Sequence, residues 1–236
     1  MAEHDLTDEL LTTQQRISLG DRALVAIAAQ VEVRSVLRAD AQLRGHGLDD
    51  VLIGSYARRV SIWPGKDVDV FGRLTRDDVG TIAPDAAYAI FGVALQPFAD
   101  QGRLTPQPRS FKIDYSPRSL PGEQYLRAAA AEYGWARRRV DRVLREFDQL
   151  AFEFSVDVVP AVGWDGHYGI PEVGRNDTSG ERYRTGQWRL TDPVELTRLT
   201  QAHNRELRIG GAGAYVRTVK AIKQVKAHHL AGAKPS

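Results

Sequence analysis

The spacing of apolar residues along this chain predicts helices and strands in alternation. Apolar positions between Thr13 and Arg44 recur near helical spacing, which predicts one long helix that ends at Gly45. Cap signals and apolar spacing predict a helix that starts at Pro84, runs through Leu95 and is closed by Gly102. They predict further helices at Glu123–Leu150, from Pro193 onward and at Ala214–Leu230. Short apolar or alternating segments predict strands at Val51–Ile53, Val68–Leu74, Arg109–Tyr115 and Ala151–Val162, whereas residues 163–186 are predicted as loop. This order is typical of an α/β (α+β) fold with a mixed lobe before a helical one.

Composition narrows the class of protein without pointing to an activity. The 236 residues are 42% hydrophobic and 26% charged, as in ordinary soluble domains. No apolar run reaches the roughly 18 residues of a membrane span, and the acidic N-terminus lacks the apolar core of a secretory signal. We therefore expect a cytoplasmic protein without a membrane partner.

Charge and cysteine content exclude several kinds of chemistry. The chain has no cysteine, which excludes disulfides, thiol catalysis and cysteine-based zinc sites. A formal net charge of +2 gives no support to a nucleic-acid activator, although an uneven surface distribution of the charges could still provide one.

Two aspartates on one predicted strand are the first candidates for catalysis. Asp67 and Asp69 are separated by one residue, so both side chains share a face of the strand while Val68 and Val70 share the other. Two carboxylates about 4 Å apart repel by roughly 4 kcal/mol at an effective dielectric constant of about 20. A cation offsets this repulsion, and Mg²⁺ characteristically takes one or two carboxylates together with substrate phosphates. An isolated Asp-x-Asp is nevertheless more often a surface feature.

A third aspartate makes the pattern more specific. Asp157 lies in the predicted strand Ala151–Val162, between the apolar residues Val156 and Val158. If this strand pairs beside the strand of Asp67 and Asp69, three carboxylates converge, as a two-metal nucleotidyl transfer site requires. Asp157 is then the candidate to orient or deprotonate the attacking hydroxyl.

Two further segments are candidates for binding phosphate. Gly54 and Ser55 follow the first predicted strand, where glycine allows close backbone approach and the serine hydroxyl can hold phosphate oxygens. Lys220 and Lys223 lie on one face of the last predicted helix with Arg217, although a solvated helix face is the commoner explanation of such spacing.

Three sequence blocks together resemble a known family. Gly54–Arg59, Asp67–Phe71 and Val156–Ala161 are similar to the signature blocks of the cGAS/DncV-like (CD-NTase) and oligoadenylate-synthase-like branch of the polymerase β nucleotidyltransferase superfamily. The resemblance implies a nucleotidyltransferase core over residues 1–186 and the beginning of a helical C-terminal lobe over residues 187–236. Because that lobe continues further in the family, the resemblance also implies that the chain is truncated at its C-terminus.

The family resemblance implies an activity and a role for each matching residue. Family members make cyclic di- or oligonucleotides, or linear 2′–5′ oligoadenylates, from NTPs without a template, and the bacterial cyclic products signal phage infection to an effector. By position, Asp67 and Asp69 would bind two Mg²⁺ ions, with Mn²⁺ as an alternative, and Asp157 would bind the ion on the nucleophile side. The residues implied in nucleotide or phosphate binding are Gly54, Ser55, Lys220 and Ser236.

Two other functions remain open from the sequence. One is nucleotidyl transfer to an RNA end or a protein hydroxyl, and the other is a catalytically silent NTP-binding module. The three aspartates argue against the silent module, and the modest net charge gives no support to an RNA substrate.

Overall fold

The structure, a computed structural model, describes residues 21–62, 67–146, 153–209 and 212–229. The chain forms two compact units. Among the described residues, the sheet unit comprises residues 21–53, 67–146 and 153–192, and the helical unit comprises residues 54–62, 193–209 and 212–229. The division that we predict at residue 186 stays a prediction.

The described part of the sheet unit contains one mixed sheet of seven strands. In chain order these are β1 (Leu48–Ile53), β2 (Asp67–Asp78), β3 (Leu104–Pro106), β4 (Phe111–Tyr115), β5 (Phe154–Trp164), β6 (His167–Arg175) and β7 (Arg182–Thr191). The spatial order is β1-β2-β5-β4-β3, and the far end of β5 also pairs with β6, which pairs with β7. Strands β2 and β5 run parallel, and all the other pairs are antiparallel. The predicted mixed α/β architecture is therefore confirmed.

Helices occur in both units. Their bounds are α1 (Arg22–Ala39), α2 (Ala41–Gly45), α3 (Gly54–Ala57), α4 (Pro84–Ala94), α5 (Gln96–Ala99), α6 (Glu123–Glu132), α7 (Arg137–Arg145), α8 (Pro193–Glu206) and α9 (Ala214–His229). The helical unit contains α3, α8 and α9 with a short hairpin of β8 (Arg208–Ile209) and β9 (Ala212–Gly213). No helix in the described ranges is long and apolar enough to cross a membrane.

The core of the sheet unit lies on one side of β2 and β5. Val68, Val70, Val156 and Val158 are at most 3% exposed, and burying each such side chain contributes roughly 1.5–3 kcal/mol. Gly72 allows α4 to approach β2 closely, because a Cβ at this position would lie 2.4 Å from Cε1 of the buried Phe91. The aspartates of the same strands are therefore fixed by a packed apolar layer on the other side.

Two predicted long helices are interrupted. The predicted helix to Arg44 breaks at Asp40, whose backbone is extended. The side chain of Asp40 caps α2 by accepting a hydrogen bond from the amide of Leu43. Residues 13–20 of that prediction lie outside the described ranges. The predicted helix Glu123–Leu150 is divided into α6 and α7 around Gly134, which adopts a left-handed φ of 65°. Local capping thus overrides helical spacing at both places.

The predicted loop at residues 163–186 is wrong, because the structure forms most of the β6–β7 hairpin there. Its turn begins at Asn176, whose side-chain oxygen accepts hydrogen bonds from the amides of Thr178 and Ser179. A register shift between Pro171 and Val173 interrupts the alternation of side chains within β6. The period-two pattern by which a strand is recognised is therefore broken.

Candidate active site

The pairing of β2 with β5 brings the three predicted aspartates to one face of the sheet. Asp69 lies directly beside Asp157, and Asp67 lies directly beside Ser155. Directly paired residues of neighbouring strands point the same way, so these four side chains form two adjacent rows. The hydroxyl of Ser155 donates a hydrogen bond of 3.2 Å to Oδ1 of Asp67.

The charge on Asp157 is disfavoured by its surroundings. Burial and then the charges of Asp69 and Asp67 raise the pKa of Asp157 to about 6, although Lys112 acts in the opposite direction. Its Oδ1 atom is buried and has no hydrogen-bond partner among the residues described. A buried carboxylate oxygen without a donor is costly and is a position where a cation would be favourable.

The oxygen donors present fit a hard divalent cation. Asp67, Asp69 and Asp157 offer only carboxylate oxygens, the ligand type that Mg²⁺ prefers. Within the described ranges, no three carboxylate, histidine or thiol groups lie close enough together to hold an ion by themselves. Mg²⁺ commonly takes one or two protein carboxylates, and substrate phosphates and water complete its coordination.

Lys112 is a site residue that the sequence analysis did not identify. It lies on β4 directly beside Asp157, and its neighbour on the same face, Asp114, lies beside Ser155. The Nζ atom of Lys112 is 2.5 Å from Oδ1 of Asp114. Chiefly this hydrogen bond, together with the charges of the surrounding aspartates, raises the pKa of Lys112. The alternation of Phe111–Tyr115 showed that Lys112 and Asp114 share a face, but not that β4 pairs with β5.

A cavity of about 440 Å³ opens beside this face of the sheet. Asp67, Lys112, Asp114 and Ser155 line it together with residues at the start of β5. Its volume lies within the roughly 300–1,000 Å³ of small-molecule sites. The face therefore has room for part of a nucleotide next to Asp67.

The predicted phosphate-binding residues Gly54 and Ser55 begin α3 in the helical unit. Gly54 has a left-handed φ of 71°, which glycine adopts at little cost. The hydroxyl of Ser55 is 3.1 Å from the hydroxyl of Ser61. The carbonyl of Ser55 accepts a hydrogen bond from the amide of Val60. The predicted turn is thus a single helical turn fixed by its own hydrogen bonds.

Lys220 belongs to a group of cations within the helical unit. Lys220 and Lys223 are half-buried on α9, and burial lowers the pKa of both. The charges of Arg58 and Lys220 lower the pKa of Lys223 further. Arg58, which the sequence analysis names only within the block Gly54–Arg59, thus contributes to this group of cations. Ser236 lies outside the described residues.

Comparison with known proteins shows similarity only at the level of structure. No protein-family model and no curated protein matches the sequence. The fold is similar to the STING-associated CdnE c-di-GMP synthase from Capnocytophaga granulosa, with a TM-score of 0.55 and 13% identity over 96% of this chain and 60% of that one.

Two further solved structures are similar. The Rhodothermus marinus CdnE c-UMP-AMP synthase gives a TM-score of 0.52 at 13% identity, over 92% of this chain and 68% of that one. CdnC of E. coli MS115-1, in its HORMA-deltaN complex, gives a TM-score of 0.51 at 14% identity, over 94% of this chain and 56% of that one. These structural neighbours are CD-NTases, and both CdnE proteins are cyclic dinucleotide synthases. The chain therefore has the fold of the cGAS/DncV-like nucleotidyltransferases.

Proposed function

We propose that this protein is a template-independent nucleotidyltransferase that converts NTPs into a cyclic di- or oligonucleotide. The observation that supports this best is the pairing of Asp69 with Asp157 beside Asp67, at a face where a buried carboxylate oxygen has no donor among the described residues. The similarity of the fold to two cyclic dinucleotide synthases supports the same reaction class.

The proposed reaction joins a hydroxyl oxygen of one nucleotide to the α-phosphorus of another. The bond between the α-phosphorus and its bridging oxygen breaks, pyrophosphate leaves, and the hydroxyl proton passes to the carboxylate of Asp157. In the absence of metal, burial and the neighbouring carboxylates raise the pKa of Asp157 to about 6, so this carboxylate is more basic than an ordinary aspartate. A second transfer within the linear product closes the ring.

Asp67, Asp69 and Asp157 would hold two Mg²⁺ ions, or Mn²⁺ in their place. Bound there, the metal supplies Lewis-acid activation of the hydroxyl and neutralises charge on the phosphates. Ser155 orients Asp67 through its hydrogen bond, and Lys112 offsets the negative charge around Asp157. Gly54, Ser55, Lys220 and Ser236 remain predicted contacts to the nucleotide or its phosphates.

The purified protein is expected to form a phosphatase-resistant cyclic product from labelled NTPs and Mg²⁺ or Mn²⁺. Mass spectrometry then identifies the bases and the ring size. Label found only on added RNA or protein would contradict this proposal in favour of macromolecular transfer. Nucleotide binding with no product would favour a silent NTP-binding module.

We also propose that the product is a second messenger that activates an effector in a bacterial antiphage response. One similar synthase is described as STING-associated, which is the observation that favours this setting. Expression of the chain with its neighbouring genes is expected to reduce phage plating, and Asp69→Asn is expected to remove that protection.

Replacing Lys112 with methionine is expected to raise the pKa of Asp157 and shift the acid limb of the pH–rate profile to higher pH. Since Lys112 lowers the pKa of Asp157, its loss leaves less of this base ionised. A shift of one unit would reduce the rate by about fivefold at pH 6 and by about tenfold below pH 5, and would matter little above pH 8. Lys112→Arg should keep the acid limb in place because it keeps the charge. An equal loss of rate at every pH in Lys112→Met would contradict this role.

A further inference from the structure

A second cavity, of about 480 Å³, lies between the segment before β4 and the β6–β7 hairpin. Four arginines line it, Arg109 from the segment before β4 and Arg175, Arg182 and Arg189 from the hairpin. None of its lining residues also lines the cavity beside the catalytic aspartates. No acidic residue is among those that line it.

The four arginines of this cavity are not paired with carboxylates of the described residues. In the described part of the chain, none of the four arginines forms an ion pair. Arg175 and Arg182 lie directly opposite each other on antiparallel strands, where like charges are destabilising. The fold therefore holds two cations side by side, and neither forms an ion pair with a described carboxylate.

Arg109 is the most enclosed of the four arginines. It is half-buried, whereas the other three are exposed. Its Nε atom donates a 3.2 Å hydrogen bond to the carbonyl of Pro171, which orients the guanidinium. Burial and the charges of Arg189 and Arg182 lower the pKa of Arg109, whereas Glu172 has a smaller opposite effect. A bound anion would relieve this repulsion.

The shape of the cavity favours a small anion over a nucleic acid. Its volume lies within the roughly 300–1,000 Å³ of small-molecule sites, and its arginines surround a concavity. Binding to a duplex needs an extended basic stripe or patch that follows the phosphate backbone. Planar guanidinium groups bind phosphate oxygens in pairs, so several converging arginines suit two or three linked phosphates.

We propose that the four-arginine cavity binds a compact polyphosphate, either free or as the triphosphate of a nucleotide, at a site separate from the catalytic aspartates. The site is independent of the proposed reaction, since it uses no catalytic residue and its ligand need not react. It would make the protein responsive to the concentration of a nucleotide or polyphosphate at a second position.

Calorimetric titration with sodium tripolyphosphate in the presence of EDTA tests this proposal on the full chain. Binding is expected in the wild type and is expected to weaken at least about tenfold in Arg109→Gln and in Arg189→Gln. Arg138→Gln, at an exposed arginine of α7, and Asp69→Asn should bind like the wild type. Melting temperatures of the variants check that each is folded, and Arg189→Gln changes only an exposed side chain.

A parallel titration with ATP and adenosine identifies the source of the phosphates. Equal binding of ATP and tripolyphosphate supports recognition of the triphosphate alone, whereas tighter binding of ATP supports a nucleotide site. No tripolyphosphate binding in the wild type would overturn the proposal, as would equal binding in the two cavity variants. Binding of duplex RNA or DNA through these arginines, without tripolyphosphate binding, would identify a nucleic-acid interface instead.

Discussion

Replacing Asp69 with asparagine is expected to reduce cyclic-product formation by at least about a thousandfold, or roughly 4 kcal/mol of transition-state stabilisation. Asp69 lies directly beside Asp157 and is the largest charged contribution to its raised pKa. Asparagine keeps the size of the side chain but removes the negative charge that would bind a divalent cation. The measurement is the initial rate of product formation, followed by mass spectrometry with NTPs and saturating Mg²⁺.

The control for Asp69→Asn is Asp177→Asn, at an exposed aspartate in the turn of the β6–β7 hairpin. This variant makes the same chemical change away from the catalytic face, and its rate should equal that of the wild type. Mg²⁺ should raise the melting temperature of the wild type and of Asp177→Asn, because a ligand that binds only the folded state stabilises it. Asp69→Asn should lose most of this rise. Wild-type turnover in Asp69→Asn would contradict the assignment of the carboxylates.

The shared face of the three aspartates was largely predictable because it depends on alternation within single strands. The Asp-x-Asp of β2 and the valines around Asp157 each determine which way a side chain points. The parallel pairing of β2 with β5 could not be predicted from these patterns, because the whole fold determines which distant strands pair. The convergence of the three aspartates was therefore predicted only on the condition that these strands pair. The family resemblance, and not the alternation, gave the reason to expect it.

The features that the sequence did not reveal depend on pairing between strands. Lys112 becomes relevant only because β4 pairs with β5, and the four-arginine cavity exists only because β6 and β7 form a hairpin. Glycines, a proline and a register shift interrupt the alternation of polar and apolar residues in that hairpin, so its strands do not show the period-two pattern. Similarly, the helix break at Asp40 involves one capping hydrogen bond and does not interrupt the helical spacing of the apolar residues.

Replacing Asp157 with asparagine is expected to stabilise the protein in EDTA while it abolishes product formation. The pKa of Asp157 is about 6 in the folded protein, against an ordinary value of 3.8 that the unfolded chain should show. Between these values the folded state binds more protons than the unfolded state, so the stability of the wild type falls as pH rises. Above pH 6 the full cost of the charged, partly buried carboxylate is present.

The stability gain of Asp157→Asn should therefore depend on pH in a specific direction. At pH 8 in EDTA we expect a gain of about 1 kcal/mol in the free energy of unfolding, after solvent screening of a partly exposed group is allowed for. The gain should shrink between pH 6 and pH 4, as the wild-type carboxylate becomes protonated in the folded state. Urea denaturation from pH 4 to pH 8 measures the stability gain and its dependence on pH. In the control, Asp177→Asn, the free energy of unfolding should differ little from that of the wild type. A loss of stability at pH 8, or a gain that does not change with pH, would contradict the charged, donor-deficient environment of Asp157. A stability gain combined with loss of product would indicate that its carboxylate is retained for catalysis at a cost to the fold.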